Sequence, residues 1–422
     1  VKVRRLSTFL AAGALAAGLF AAVPATANAS GFVSFHDFLA DTAQAGYQTF
    51  ATAAGRVRSQ ADFDQMRAYI LHTYDGVGVT HSYEYGGSYF DCVTTMSQPS
   101  VRAEHIGTLA TPPPGSIRPR SGGGRAASPL TLGLHDAYGN AVACPSGTVP
   151  MRRITLDRTT RFPTLKAFLA KEPDGATPRI TPGGPHRYAF GYQDVTNYGG
   201  SSWLNLWNPS GDFTLSQQWY VNGSGSGTQT AEGGWVHYPA AFGNQSVLFI
   251  YFTADDYAST GCYNLDCAGF VQTDSSIALG TTWSNYSTPG GDQYGFSLQY
   301  EWYQGNWWLN VQGTWLGYYP GSVYEGGPMA SSANLAEYGG ETYTDGDDWP
   351  QMGSGQWAAA GWQQAAFQNG ISYIGDLNYD AYYANLTPVR TNSGCYTIDY
   401  TPASSGGSWG TYFYFGGPGG YC

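Results

Sequence analysis

From Tyr188 to Cys422 the chain has no Lys and one His, His237, so the reactive groups available there are few. A zinc site built from several histidines is excluded for that stretch. Its cysteines, in a chain read below as secreted, are expected in disulfides and not as thiolate nucleophiles. Gly406-Gly407-Ser408-Trp409-Gly410 fits the G-x-S-x-G pattern of serine hydrolases, but no His follows it and it lies in an aromatic terminal strand instead of a strand-to-helix turn. His237 reads as a hydrogen-bonded structural histidine. Asp345-Gly346-Asp347-Asp348 lacks the fuller spacing of a calcium loop and reads as a solvated acidic turn. Carboxylates remain as the source of chemistry, and no cofactor or metal is expected.

Five glutamates follow Arg187: Glu232, Glu301, Glu325, Glu337 and Glu341. Two have matching surroundings, Gln229-Thr230-Ala231-Glu232-Gly233-Gly234-Trp235 and Glu337-Tyr338-Gly339-Gly340-Glu341-Thr342-Tyr343. A glycine pair inside a strand marks a place where another backbone approaches closely, so a peptide could lie against Glu232 and Glu341. The plainer alternative is a surface glutamate at a bulge. No sequence period joins positions 232 and 341; strand pairing would have to do so. Two carboxyls that meet and share one proton can activate water and protonate a leaving group, because close like charges raise one of the coupled ionisations.

The elements that must position them are short strands. Ser202 to Trp207, Phe213 to Val221, Ser246 to Phe252, Gly295 to Trp302, Asn306 to Val311 and Thr411 to Phe415 are rich in Trp, Tyr, Phe, Val and Thr and are separated by Pro, Gly and Asn breaks. That pattern, without alternating helices, predicts an all-β domain folded as an antiparallel β-sandwich. One helix is expected at Ala358 to Gln368. Only 12% of the chain is charged while 16% is aromatic and 58 residues are Gly, which fits the same class and excludes a coiled coil or a charged disordered tail.

Charge divides the chain in two. Ser30 to Arg187 carries 15 basic and 12 acidic residues and no Trp; Tyr188 to Cys422 carries one basic residue, Arg390, against 18 acidic ones and all 13 Trp. The formal charge of −11 disfavours nucleic acid and anionic membranes as partners. The first part opens with helical spacing at Phe35, Phe38, Leu39 and Ala43 and again at Phe63, Met66 and Ile70, followed by an extended stretch from Tyr89 to Val93, so a small mixed α/β segment is expected. Two Pro/Gly-rich stretches interrupt it, Thr111 to Gly124 as a linker and Glu172 to Pro185 as an exposed, cuttable junction. Ahead of it, Lys2, Arg4 and Arg5, an apolar run and Ala27-Asn28-Ala29 read as a secretory signal cleaved after Ala29. The expected organisation is signal peptide 1–29, pro-segment 30–185 and catalytic domain 186–422. Six cysteines in a secreted chain point to disulfides. Their partners are open in sequence; the expected set is Cys92–Cys144, Cys262–Cys267 and Cys395–Cys422.

An ordered series of motifs resembles the neprosin family of secreted glutamic endopeptidases. It comprises Leu206-Trp207-Asn208-Pro209, Leu215-Ser216-Gln217-Gln218-Trp219, the Gln229 to Trp235 segment, the long block from Gly261 to Thr273, Gly305-Asn306-Trp307-Trp308-Leu309, Gly339-Gly340-Glu341, Gln351-Met352-Gly353-Ser354-Gly355 and Tyr412 to Pro418. Asp91-Cys92-Val93, Gln98-Pro99 and Gly147 to Arg153 are similar to that family's activation peptide. The resemblance implies a β-sandwich, acidic working pH, cleavage on the carboxyl side of proline, and Glu232 and Glu341 as the catalytic pair.

With that implication the remaining expectations follow. Trp235 is the nominee for an aromatic proline slot, Gln351 for an oxyanion donor, and Gly233, Gly234, Gly339 and Gly340 for contact with the substrate backbone. The partners are proline-containing peptides or proteins and the chain's own pro-segment as inhibitor. The enzyme is expected to be a secreted, extracellular monomer made as a zymogen. Strand-rich secreted proteins with many Trp and paired Glu also include glycoside hydrolases and carbohydrate-binding proteins, the competing reading.

Overall fold

The computed structural model describes residues 32–51, 55–115, 124–129, 135, 139, 141–171 and 185–422. The expected signal peptide, the interior of the Thr111 to Gly124 linker and nearly all of the Glu172 to Pro185 junction lie outside the described residues. Val33–Cys422 forms one compact unit, so the N-terminal α/β segment packs onto the region that follows it.

Two antiparallel sheets make the sandwich. The six-stranded sheet runs, edge to edge, Thr387–Arg390, His186–Asn197, Ala333–Tyr343, Thr214–Asn222, Gln229–His237 and Val247–Thr253. The ten-stranded sheet is built around Tyr294–Tyr303, with Asn306–Val311 on one side and Gly199–Asn205 on the other. Side chains alternate across each strand, so one face of the six-stranded sheet packs on its partner sheet and the other is left for the site. Between the sheets, Trp235 is fully buried and its indole N–H donates to the Asn205 carbonyl at 2.9 Å. Gln218 donates to the Leu298 carbonyl and Gln368 to Ser216 Oγ, each at 3.0 Å, which satisfies polar groups that burial would otherwise penalise.

The N-terminal segment is mixed α/β, as its spacing implies. Helices Phe35–Gln44 and Gln60–Tyr74 start at Ser34 and Ser59, whose hydroxyls accept from the backbone N–H of Asp37 and Asp62. A three-stranded sheet, Val79–Tyr85, Ser88–Thr94 and Thr148–Arg152, follows. Two short helices, Leu156–Thr159 and Leu165–Leu169, then carry the chain to Lys171. The structure pairs Cys92 with Cys144, Cys262 with Cys267 and Cys395 with Cys422.

The helix expected at Ala358 to Gln368 is not there. Ala358–Ala360 is a 3-10 turn, Gly361 leaves it at φ 66°, and Ala366–Ile374 is an interior strand between Gly199–Asn205 and Tyr412–Gly416. Pairing on both sides overrides the helix preference of alanine.

Candidate active site

Register puts the two glutamates on one face. Glu341 lies opposite Leu215, which lies opposite Val236, four residues from Glu232 on the same strand. Trp219 stands between Glu232 and Glu337 in another row of that face, and Gln217 between Gly234 and Gly339. Both Glu232 and Glu341 are fully buried.

The group that joins them is Lys171, at the end of the N-terminal α/β segment. Its Nζ lies 2.6 Å from Glu232 Oε2 and 3.1 Å from Glu341 Oε2, and the ammonium sits over the rings of Trp219 and Tyr257 at 5.5 and 5.6 Å. One buried cation thus answers two buried carboxylates, and desolvation makes each of the three depend on the others. Tyr263 donates to the Lys171 carbonyl at 2.6 Å and Tyr251 to that of Leu169 at 3.3 Å, so the segment's backbone is held as well as its side chain.

The two carboxylates have different neighbours. On Glu232, Oε1 accepts from the hydroxyls of Thr230 and Tyr257 at 2.7 and 2.6 Å, and Oε2 accepts from the Gln217 amide at 3.1 Å. On Glu341, Oε1 accepts from the Tyr188 hydroxyl at 3.1 Å and lies 2.9 Å from Nδ1 of His186. Burial pushes the Glu341 carboxyl up, but the charges of Lys171 and His186 together with their contacts overcome this and hold it below the usual carboxylate range. Glu337, half-buried beside them, is pushed up, first by burial and then by the charge of Glu232. A cavity of about 200 Å³ opens here, walled by Tyr188, Phe190, Trp219, Tyr257 and Glu337 with Lys171 at its end.

Of the other residues singled out from sequence, Gly234 and Gly339 share the glutamates' face and the rest fall elsewhere. Trp235 points between the sheets, away from the cavity; it is next to the glycine pair in sequence but on the opposite face from Glu232. Gln351 accepts from the backbone N–H of Ser210 at 3.1 Å and, among the described residues, makes no hydrogen bond to either glutamate. A side chain at Gly233 would meet the Tyr300 ring, and one at Gly340 would meet Phe415 and Met352, so both face the second sheet. At Gly234 the crowding atoms are the Ser216 carbonyl and Gln217 Cα, and at Gly339 they belong to Phe190 and Ala189. The backbone that approaches these glycines is the neighbouring strand's own. His237 lies 3.3 Å from Asn208 through Nδ1, and Ser408 sits on the 3-10 turn Gly407–Trp409.

Sequence reasoning missed Lys171, His186, Tyr188, Gln217, Trp219 and Tyr257. Gln217 and Trp219 stood in a quoted motif. His186 and Lys171 precede Tyr188, where the inventory of reactive groups began. Nothing in the sequence distinguishes Tyr257 from the other tyrosines. Among the described residues no cluster of His, Cys, Asp and Glu could hold a metal ion, and no helix is long and apolar enough to cross a membrane.

Comparison with known proteins bears on the same region. The family profile described as Neprosin matches residues 210–418. A solved structure titled "Crystal structure of scytalido-glutamic peptidase with a transition state analog inhibitor" is 11% identical, with 54% of this chain and 97% of that chain covered, at a TM-score of 0.29. Residues 210–418, which carry both Glu232 and Glu341, belong to the neprosin family.

Proposed function

We propose that this chain is the precursor of a secreted glutamic endopeptidase that cuts peptide bonds on the carboxyl side of proline at acidic pH. The observation that carries the reading is the shared cation: two fully buried glutamates from distant strands converge on the one ammonium of Lys171. Carboxylates held that close can share a proton once the cation leaves. Lys171 then acts as the inhibitor's plug, holding both groups ionised and filling the place of the attacking water. The pro-segment, residues 30–185, is removed within the Glu172 to Pro185 junction to give the mature domain from about residue 186.

With Lys171 gone, a water between the glutamates loses a proton to Glu341, the carboxylate that His186 and Tyr188 hold by its other oxygen. Glu232, whose neighbours are hydroxyls and an amide, carries the shared proton and donates it toward the carbonyl oxygen. The water oxygen bonds to the carbonyl carbon; as the C–N bond breaks, the proton taken by Glu341 passes to the departing nitrogen and the re-forming carbonyl returns its proton to Glu232. The Gln217 amide, already on Glu232 at 3.1 Å, is the oxyanion donor in place of Gln351. Trp219 and Phe190, in place of Trp235, wall the slot for a proline ring.

The test is a pH series on the processed protein with a proline-containing peptide, products identified by mass. Cleavage after proline rises on acidification, and Glu232→Gln or Glu341→Gln lowers it by about 10³-fold or more. A wild-type protein that cuts no peptide at any pH, or a doubly substituted one that still cuts, removes the reading.

A further inference from the structure

We infer that His186 is the positioning residue of Glu341, holding its Oε1 so that Oε2 is presented to the groove as a charged base; this rests on the peptidase reading above. The two oxygens of Glu341 have separate clients. Oε2 faces Lys171 and, through it, Glu232. Oε1 faces Tyr188 and His186, which belong to the catalytic region and stay when the pro-segment leaves. Removal of Lys171 therefore strips one oxygen and leaves the other held.

The position of His186 favours this role over plain packing. Its side chain is fully buried, and Nε2 has no hydrogen-bond partner among the described residues. An unpaired buried nitrogen carries a desolvation cost that a phenylalanine at the same place would avoid. What offsets that cost is the carboxylate 2.9 Å from Nδ1. The approach is short, although Nδ1 too makes no hydrogen bond among the described residues, so closeness to the carboxylate carries the contact. The groups that touch the ring from the elements around it are Glu341 and Tyr343 on Ala333–Tyr343 and Tyr188 on its own strand, with the Tyr343 ring at 5.0 Å and the Tyr188 ring at 6.1 Å. Glu341 is the carboxylate among them, and Lys171 stands beyond it. Backbone pairing of His186 with Tyr343 fixes the ring's place from the first residue of the strand.

The experiment compares wild type, His186→Phe and His186→Gln as fully processed enzymes, with thermal melts to show that each is folded. For a general base that has lost its positioning cation, kcat falls roughly 10–100-fold, a fraction of the 10²–10⁴ that a placed base supplies, while KM changes little. The acid limb of the kcat profile moves up by about one pH unit, because loss of a neighbouring cation lets Glu341 take a proton at higher pH. Gln, which keeps a donor but no charge, shows the same shift. A folded variant whose acid limb stays in place, whatever its rate, overturns the inference, as does a mature enzyme whose first residue lies beyond position 186. Should both variants fail to fold, ¹⁵N-histidine NMR of the intact precursor decides: the buried imidazole resonances change on Glu341→Gln if the contact sets the ring's charge, and unchanged resonances overturn it. Failure of the peptidase reading is separately visible, since the processed wild type would then cut no peptide at any pH.

Discussion

Lys171 is the residue on which latency and stability both turn. Its ammonium is surrounded by Glu232, Glu341 and two aromatic rings, and water does not reach it. Truncating one member of a buried ion pair leaves the other charges uncompensated, which destabilises by about 3–5 kcal/mol. The sign of the pH dependence follows from Glu341, whose folded carboxyl is held down. Its contribution is fully present above the ordinary carboxylate value of about 4.3 and is lost as pH falls through the depressed folded value. Lys171→Met should therefore lower the melting temperature of the precursor markedly at neutral pH and much less in acid, where the glutamates can take up protons. The same variant should cleave peptide before any processing. Equal destabilisation at both pH values, measured by scanning calorimetry, would show that the lysine matters for packing and not for charge.

At the scale of elements, the strands bearing the site were the hardest to see in sequence. Gln229–His237 and Ala333–Tyr343 each hold a glycine pair, and glycine inside a strand removes the aromatic and β-branched signal by which the flanking strands were recognised. Their glutamates were legible because the motif series resembles a known family; their meeting was not, because strand pairing across more than a hundred residues leaves no local period. Trp235 illustrates the same limit from the other side: adjacency in sequence brought it to notice, and a shift of three positions puts it on the opposite face of the strand. The glycine at 339 has a structural task that can be tested. It sits at φ 156°, and a Cβ there would lie 2.4 Å from Phe190 Cβ and 2.6 Å from the Ala189 carbonyl. Backbone on an interior strand cannot give way cheaply, so Gly339→Ala is expected to lose about 2–4 kcal/mol of stability, read by urea unfolding of the precursor. A variant as stable as the wild type would mean the two strands separate there at little cost.

For the molecule as a whole, the charge division explains why acid and not salt should be the trigger. Arg125 meets Asp292 at 3.2 Å in the open, but the other cations of the first part meet the second at buried points: Lys171 at the glutamates, and Arg158 against both oxygens of Asp266 at 3.1 and 2.8 Å inside the Cys262–Cys267 loop. Arg152 reaches the Ala241 carbonyl at 3.0 Å, and Gln98 exchanges two hydrogen bonds with the Gln272 backbone. Salt screens exposed charges over roughly 10 Å at 0.1 M but hardly reaches pairs from which water is excluded. Protonation removes one partner outright. The precursor at neutral pH in 1 M NaCl should thus keep its pro-segment and remain latent, while acidification at low salt should release it and start cleavage. Asp266→Asn, which removes the carboxylate facing Arg158, should move the release to higher pH, followed by size-exclusion chromatography after nicking the junction. Activation by salt alone at neutral pH would mean that the long-range field of the acidic domain, and not the buried contacts, holds the pro-segment in place.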